Sequence, residues 1–300
     1  MIMKRLLNYL ITPADAGQTI RSFLLCRGYS KSVLIHLKKT DYGILRNGVW
    51  AYVNDILSAG DTLTVTLLEP ASDGILPRRL PLSVVYEDED ILIVDKPADM
   101  PVHPSLNNYE NTLANAVMYY FNEQDIPYTF RCINRLDRDT TGLTILAKNM
   151  LSGAILSRQM VLRQIHRTYL AIVKGLTPPS GTIDAPIARK AESLIERTVD
   201  FASGEPAVTH FTRLDHRNGL SLLALRLETG RTHQIRVHMK HIGFPLIGDF
   251  LYYPDFSQIK RQALHSYRLD FTHPVTNEAC SFSAPLPDDM RQLFPGDIIL

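Results

Sequence analysis

The feature that most constrains the fold is the order of strand-like and helix-like segments along residues 81–300. Strands are predicted where apolar residues alternate or run together for a few positions: 82–88, 90–97, 142–149, 166–175, 206–214 and 220–228. Helices are predicted where apolar residues recur at helical spacing: 112–122, about 151–162 and about 231–242. The tail at 265–287 is typical of a closing hairpin around Asn277. Because the helices interrupt the strands irregularly, regular βαβ winding is disfavoured. We expect an α+β domain with a mixed, mainly antiparallel β-sheet and peripheral helices.

The N-terminal part predicts a second, smaller α+β unit. Two short helices are expected at 17–27 and 30–39, and Ser30 is placed to cap the second. Asn47-Gly48 between apolar runs predicts a hairpin, and the alternating stretch "DTLTVTLL" predicts a strand after it.

A linker is predicted between the two units. Proline, Asp-Gly and a loss of periodicity occur together in "EPASDGILPRRL". We therefore expect a small N-terminal domain at 1–69, a linker at 70–80 and a larger domain at 81–300.

Charge is distributed unevenly along the chain. The net charge of +1 argues against a strongly basic nucleic-acid binder. Residues 1–79, however, hold ten Lys/Arg against six Asp/Glu, whereas 80–300 hold 22 against 25. Residues 131–168 hold seven Lys/Arg against Asp137 and Asp139 only, and this local excess predicts a phosphate-binding surface.

Neither membrane association nor a disulfide framework is expected. Apolar runs such as "ILIV" are far shorter than the roughly 20 residues that span a bilayer, and the N-terminus lacks the pattern of a signal peptide. Cys26, Cys132 and Cys280 are odd in number and widely scattered, so we expect them to stay reduced. A cytoplasmic protein is expected.

One segment, "INRLDRDTTGLTILAKN" at 133–149, carries candidate chemistry. Asp137 stands between Arg135 and Arg138 in a glycine-containing loop before a strand, and these cations would hold its pKa down. An ionised carboxylate can act as a nucleophile or stabilise a cation. The simpler interpretation is that Asp137 caps a turn and pairs with a surface arginine.

Several segments together resemble the RluA-type pseudouridine synthases, the family that includes the large-subunit ribosomal RNA enzymes. The first is the triplet Arg-Leu-Asp followed by Thr-Thr-Gly in the segment above. The others follow along the chain: "YEDEDILIVDKPADMPVHPS", "RTYLAIVKG", "GEPAVTHF", "TGRTHQIRVHMKHIGFPLIGD" and "LHSYRLDFTHPVT". The resemblance covers residues 80–287, and the N-terminal helices with "SKSVLIHLKK" and the hairpin are similar to an S4-type RNA-binding module.

The resemblance implies an isomerase that converts uridine to pseudouridine in RNA. It implies that no cofactor is needed and that the protein is a monomer. Ribosomal RNA is the expected substrate, ahead of transfer RNA. Asp137 matches the family's essential aspartate, which attacks C1′ or assists glycal formation at C2′, and the sequence leaves both routes open. Tyr169 matches the tyrosine that lies against the uracil and relays the proton lost from C5.

Arg236 matches the family arginine that pairs with the catalytic carboxylate. On the predicted helix at 231–242, Ile235 and Met239 share an apolar face while Arg236 lies in a polar sector, so it can point into a site. Arg231 is the second choice for this role. Supporting and packing contacts are expected from four residues around that helix: Arg231, His233, Gln234 and His238.

Zinc binding by the helix histidines is not expected. His233, His238 and His241 lack the His-Glu-x-x-His pattern, and His238 falls toward the apolar face. No metal is therefore predicted.

Arg135 matches the arginine that fills the gap left by a flipped-out uridine. Contacts with RNA are also expected from five other residues: Asn134, Arg138, Thr141, Lys31 and Lys38. Asn134 and Thr141 depart from the family, in which many members have His and Ser there, so contacts to the flipped nucleotide are expected to differ. Residues 187–203 match the family poorly and receive no role.

Two other function classes stay open from the sequence. One is a catalytically inactive RNA-binding or ribosome-assembly factor on the same scaffold. The other is a glycoside hydrolase, although that chemistry usually places two carboxylates on opposite sides of the bond, and Asp139 is only two residues from Asp137.

Overall fold

The computed structural model describes residues 2–71, 74–106 and 108–296. The strands in chain order are β1 (Ile2–Leu10), β2 (Ile44–Arg46), β3 (Val49–Trp50), β4 (Thr62–Pro70), β5 (Ser83–Glu87), β6 (Ile91–Lys96), β7 (Thr141–Ala147), β8 (His166–Lys174), β9 (Ser180–Asp184), β10 (Ile187–Arg189), β11 (Arg197–Val199), β12 (Val208–Arg217), β13 (Leu220–Leu227), β14 (Leu264–Thr272) and β15 (Ala279–Ser283). The helices are α1 (Ile20–Cys26), α2 (Lys31–Lys39), α3 (Leu113–Asn122), α4 (Met150–Val161), α5 (Gln234–His241) and α6 (Asp288–Arg291).

The first sheet is antiparallel and has the order β1-β4-β2-β3. Asn47 and Gly48 have φ of 52° and 79°, as a two-residue hairpin of type I′ requires. The side chain of Ser30 accepts the amide of Val33 at 3.3 Å, so the predicted cap of α2 is present. β1 was not predicted, and its long antiparallel pairing with β4 covers both strands from end to end.

The second sheet confirms the expected mixed, mainly antiparallel arrangement. Its order is β5-β6-β7-β14-β8-β13-β12-β9, with β15 paired to β14, and only the β7–β14 pair is parallel. Gly142 stands at this parallel contact with φ of 109°, and a Cβ there would collide with the backbone of Ser266. The end of the loop that carries Asp137 is therefore fixed against β14.

Three details differ from the sequence-based prediction. The last long helix begins at Gln234 rather than 231, because His233 has a left-handed φ of 59°. β4 continues to Pro70, the first residue of the predicted linker. Residues 187–203, which received no role, form the β10–β11 hairpin, and Val199 packs with the core under α5.

The two sheets are joined by contacts between their supporting elements. Leu151 of α4 belongs to the same apolar core as the first sheet. Arg5 of β1 donates to Asp90 at 2.7 Å, and Glu69 of β4 is paired with Arg131. The division into domains at 70–80 stays a prediction.

Among the described residues, no helix is both long enough and apolar enough to cross a bilayer. Cys26, Cys132 and Cys280 are all free thiols in the structure.

Candidate active site

Asp137 lies on a tight loop between α3 and β7, with its carboxylate partly exposed. The amide of Thr140 donates to the carbonyl of Asp137 at 3.1 Å and closes the turn. Leu136, the preceding residue, is buried in a core with Tyr169 and Ile235. The loop is thus anchored by an apolar side chain, and its carboxylate is presented at the surface with 27% of the side chain exposed.

Arg236 joins Asp137 to a second carboxylate that the sequence reading did not single out. Its Nη1 donates to Asp137 Oδ2 at 2.8 Å, while Nε and Nη2 donate to the two oxygens of Asp249 at 2.7 and 2.8 Å. Both Arg236 and Asp249 are almost fully buried. Asp249 also accepts the amides of Leu251 and Tyr252 at 3.0 and 3.1 Å. Asp249 therefore holds the guanidinium of Arg236 through two hydrogen bonds, and the remaining nitrogen, Nη1, donates to Asp137.

The electrostatics keep this arginine charged. Burial lowers the pKa of Arg236, but the hydrogen bonds that it donates to Asp249 and the charge of Asp137 outweigh burial and raise the pKa above its usual value. Arg231, the second choice from the sequence, pairs with Glu205 and donates to the carbonyl of Pro206. The structure thus brings Arg236, not Arg231, to the carboxylate.

His233 lies beside the same carboxylate, with Nε2 at 3.8 Å from Asp137 Oδ2. Its Nδ1 is 2.9 Å from the hydroxyl of Tyr252, and that hydroxyl accepts the backbone amide of Arg197 at 2.8 Å. Burial lowers the pKa of His233 and so favours the neutral form of the ring. If Tyr252 donates its proton to Nδ1, the Nε2–H faces Asp137. The β10–β11 hairpin thus contributes to the site through Arg197.

A narrow cleft of about 70 Å³ opens beside these groups. Its lining includes Asp137, Arg236 and Tyr169, so the three residues expected to be catalytic come together. Among hydrogen bonds between described residues, none uses the hydroxyl of Tyr169. The cleft is far smaller than the roughly 300 to 1,000 Å³ typical of pockets that enclose small ligands, so it suits part of a larger molecule.

Two arginines line the cleft without an acidic partner among the described residues. Arg135 is exposed at its edge, as expected for a residue that meets RNA. Arg167 was not singled out, yet it also lines the cleft, and its buried Nε has no hydrogen-bond partner among the described residues.

The charge excess predicted for residues 131–168 is partly neutralised, and three of the acidic partners come from elsewhere in the chain. Four of its seven basic residues form ion pairs: Arg131 with Glu69, Arg138 with Asp139, Lys148 with Glu87 and Arg163 with Glu228. Three arginines of the segment have no ion pair among the described residues: Arg135 and Arg167 at the cleft, and Arg158 on α4, away from it. Arg138 itself stays half exposed.

Asn134 and Thr141 are not at the surface where RNA contacts were expected. The amide of Asn134 is buried, donates to the carbonyl of Leu143 at 3.0 Å and accepts the amide of Ile145 at 2.8 Å. Thr141 is buried with its hydroxyl 2.9 Å from Nδ1 of His265. Both side chains are used to hold β7 in place, so the expectation of direct RNA contact is corrected.

Gln234 and His238 make the supporting contacts expected of them. Gln234 donates to Val208 and to the hydroxyl of Thr209 at 2.9 and 3.0 Å. His238 is buried with Nε2 at 2.8 Å from the carbonyl of Ala185 and Nδ1 at 2.9 Å from Thr209. These bonds attach α5 to the sheet. Gln234 also lines the cleft, whereas His238 does not. Lys31 and Lys38 lie exposed on α2 and do not line the cleft.

Lys96 is a buried residue of the site that the sequence reading missed. It ends β6, and its Nζ donates to the carbonyls of Pro97, Met100 and Arg138, each at 2.8 Å. Burial lowers its pKa to about 7, while the charges of nearby Asp139 and Asp137 act in the opposite direction. Three carbonyl oxygens match the three N–H donors of an ammonium group. Lys96 thereby fixes the backbone directly after Asp137.

Lys96→Met is expected to lower the free energy of unfolding by about 2 to 3 kcal/mol, since buried carbonyls would lose their donor. We also expect loss of activity, because the loop that carries Asp137 would no longer be held. Urea unfolding and an isomerisation assay measure the two effects. Lys260→Met is the control, since this exposed lysine donates to a single carbonyl, and a change below about 0.5 kcal/mol is expected for it. Equal effects of the two substitutions would contradict the role of Lys96.

Comparison with known proteins gives a consistent result. Residues 90–241 match the family described as RNA pseudouridylate synthase. Uncharacterized RNA pseudouridine synthase YjbO of Bacillus subtilis is 39% identical over 281 residues, covering 93% of this chain and 99% of the relative. Ribosomal large subunit pseudouridine synthase D of Haemophilus influenzae is 36% identical over 300 residues, covering 94% and 92%. The Escherichia coli protein of the same name is 40% identical over 232 residues, covering 72% and 71%.

The fold is also similar to solved structures. Human RNA Pseudouridylate Synthase Domain Containing 1 superposes with a TM-score of 0.57 at 28% identity, covering 68% of this chain and 83% of the human one.

Proposed function

The chain belongs to the RNA pseudouridylate synthase family and is an RNA-modifying isomerase, and we propose that Asp137 is the carboxylate that performs the isomerisation. The observation that carries this proposal is the contact of Asp137 with Arg236, which is itself held by buried Asp249. A carboxylate that is partly exposed, paired with a fixed cation and placed at a cleft is suited to act on a sugar carbon.

The reaction requires three steps. The bond between N1 of uracil and C1′ of ribose breaks, the uracil turns while it is held, and C5 forms the new bond to C1′ as it loses its proton. Asp137 can attack C1′ or assist removal of the C2′ proton, and both routes need the ionised form. Arg236 stabilises the ionised carboxylate of Asp137. Its guanidinium does not have to move when charge develops in the reaction, because Asp249 already holds it in place.

Tyr169 is the proposed contact for the uracil and relay for the proton from C5. Tyr169 lines the cleft together with Asp137. It also packs in the apolar core that contains Leu136 and Ile235. His233 has its Nε2 at 3.8 Å from the same carboxylate, and its ring limits the movement of the Asp137 side chain.

A uridine in folded RNA reaches this cleft only after it leaves its stack. We propose that Arg135 occupies the vacated position, because its side chain is exposed at the edge of the cleft. Arg167 is proposed to hold an adjacent phosphate, since its guanidinium lies at the cleft and has no ion pair among the described residues.

Large-subunit ribosomal RNA is the proposed substrate, ahead of transfer RNA. The support comes from relatives whose names state a ribosomal large-subunit activity. Residues 2–70 are proposed as the RNA-binding module, joined to the catalytic part through the predicted linker.

The alternative of a catalytically inactive RNA-binding factor is less well supported, because the carboxylate, its arginine and the tyrosine meet at one cleft. A glycoside hydrolase needs a second carboxylate across the bond. Asp139 is paired with Arg138 instead.

The test maps pseudouridine in RNA from cells that carry the intact gene, a deletion or Asp137→Ala. Carbodiimide treatment followed by primer extension marks each pseudouridine as a stop. We expect the same stops in large-subunit ribosomal RNA to vanish in the deletion and in the variant. Stops that vanish only in transfer RNA would overturn the proposed substrate, and stops retained in the Asp137 variant would overturn the role of the carboxylate.

A further inference from the structure

Three aromatic side chains lie exposed together at the β2–β3 hairpin of the first sheet, one in β3 and two in the flanking segments. Tyr42, Trp50 and Tyr52 are 62%, 45% and 68% exposed. The ring centroids of Tyr42 and Trp50 are 5.3 Å apart, and those of Trp50 and Tyr52 are 6.2 Å apart with the planes within 19° of parallel. We call these three residues the aromatic platform. Exposed apolar clusters of this kind mark binding surfaces rather than ordinary solvent-facing positions.

The backbone presents these rings in a defined arrangement. Trp50 ends β3, where it pairs with Leu45 of β2. Tyr52 begins a turn in which its amide donates to the carboxylate of Asp55 at 2.8 Å and its carbonyl accepts the Asp55 amide at 2.9 Å. Tyr42 has a left-handed φ of 55°, which is uncommon for a bulky residue. The backbone positions from which the three rings project are thus defined before any ligand binds, which lowers the entropy cost of binding.

Positive charge lies beside the platform. Lys38 lines a groove of about 280 Å³ together with Trp50 and Tyr52. Lys39 is the next exposed residue of the same helix. The first 79 residues carry an excess of four positive charges, counted as ten Lys/Arg minus six Asp/Glu. The nearby carboxylate of Asp55 is engaged within its own turn.

We propose that the aromatic platform binds unpaired bases of the RNA substrate by stacking, with Lys38 holding an adjacent phosphate. This inference rests on the proposed function, which supplies RNA as the ligand. Flat exposed rings accept any base on their faces, and lysines beside them attract the backbone. A protein partner would also cover exposed aromatics, but the exposed Lys38 and Lys39 beside the rings favour a polyanion.

Trp50 allows a direct test, because it is the only tryptophan in the 300 residues. The intact protein is titrated with an oligouridylate of about ten nucleotides, a length within the range of single-stranded sites, while tryptophan emission is recorded. Stacking of a base on Trp50 is expected to quench the emission in a saturable manner. Inorganic polyphosphate, which carries charge without bases, is expected to bind without that quenching. Binding of the oligonucleotide, detected by anisotropy, with unchanged emission would overturn the platform, because the bases would then be bound away from Trp50.

Kinetics give a second readout. Trp50→Leu and Tyr52→Ala are expected to raise KM for the RNA substrate about tenfold each with kcat unchanged, because the rings contribute binding and touch no reacting atom. Trp50→Phe keeps a flat ring and should restore most of the affinity. Val49→Ala is the matched control, since this neighbour is 70% exposed and has no ring. A KM for Trp50→Leu equal to that of Val49→Ala would refute the proposal.

Failure of this inference is distinguishable from failure of the proposed function. Asp137→Asn is expected to retain the quenching of Trp50 while it forms no pseudouridine. Quenching in a wild-type protein that modifies no ribosomal RNA would leave the platform standing and overturn the substrate. Normal modification of ribosomal RNA without quenching would overturn the platform and leave the proposed substrate standing.

Discussion

Asp137→Asn is expected to lower pseudouridine formation by about 10⁴-fold or more, a typical loss when a nucleophile or its equivalent is removed. The amide preserves the shape of the side chain and can still meet Arg236, but it carries no charge to act on the sugar. The measurement is release of tritium from C5 of uridine in a transcript, since C5 loses its hydrogen when it bonds to C1′. RNA affinity is expected to stay near the wild-type value, because the substitution removes no basic or aromatic group.

Asp99→Asn is the matched control for this experiment. Asp99 is 83% exposed and lies near the same loop, 3.7 Å from Arg138. Its φ of 54° is one that asparagine tolerates. Removal of this charge should change the rate less than about twofold. A comparable loss in both variants would indicate that general charge near the loop, rather than the carboxylate of Asp137, controls the reaction.

Asp249→Ala is expected to have the largest effect on stability, a decrease of about 3 to 5 kcal/mol in the free energy of unfolding. The substitution leaves the guanidinium of Arg236 buried without the partner that accepts two of its hydrogen bonds. Activity should fall as well, since Arg236 would no longer be aimed at Asp137. Urea unfolding measures the stability, and the variant Asp215→Ala, which breaks an exposed ion pair with Arg217, should cost at most about 1 kcal/mol.

A double substitution separates stability from catalysis. Replacement of Arg236 by Met together with Asp249 by Leu removes both buried charges, and such apolar replacements are often neutral or stabilising. The double variant should therefore recover part of the stability that Asp249→Ala loses, although the amides of Leu251 and Tyr252 still lack the acceptor that Asp249 supplies. It should still be inactive, because Asp137 loses its cation. Recovery of activity along with stability would show that the arginine contributes only to folding.

Local signals predicted much of the fold because they act within a few residues. Ser30 caps α2 by accepting the amide of Val33. Asn47-Gly48 forms the hairpin turn because both residues tolerate the positive φ that this turn requires. β1 could not be found in this way, since its partner β4 lies more than fifty residues along the chain, as the pairing of Leu10 with Thr62 shows. The start of α5 depends on the left-handed conformation of His233, whose ring meets Tyr252.

The residues of the site also divide into those that the sequence identifies and those that only the folded structure reveals. Asp137 and Arg236 were identified through resemblance and helical spacing, and the structure brings them into contact. Lys96 and Asp249 were missed, because a buried charged residue is recognised only by the partners that fold around it. Asn134 was assigned to RNA for its polarity, but a buried amide that completes the hydrogen bonds of a strand has the same polarity in the sequence.

The attachment between the two sheets has a consequence for substrate choice. Three contacts hold the first sheet against the part of the chain that carries the second sheet: Arg5 with Asp90, Glu69 with Arg131, and the apolar core shared with Leu151 of α4. The aromatic platform and the cleft are then separated by a set distance. An RNA that satisfies both must carry an unpaired stretch at that distance from the target uridine, whatever the bases between them are. Selection of the modified position would thus depend on the three-dimensional architecture of the RNA, and sequence changes that preserve that architecture would be tolerated.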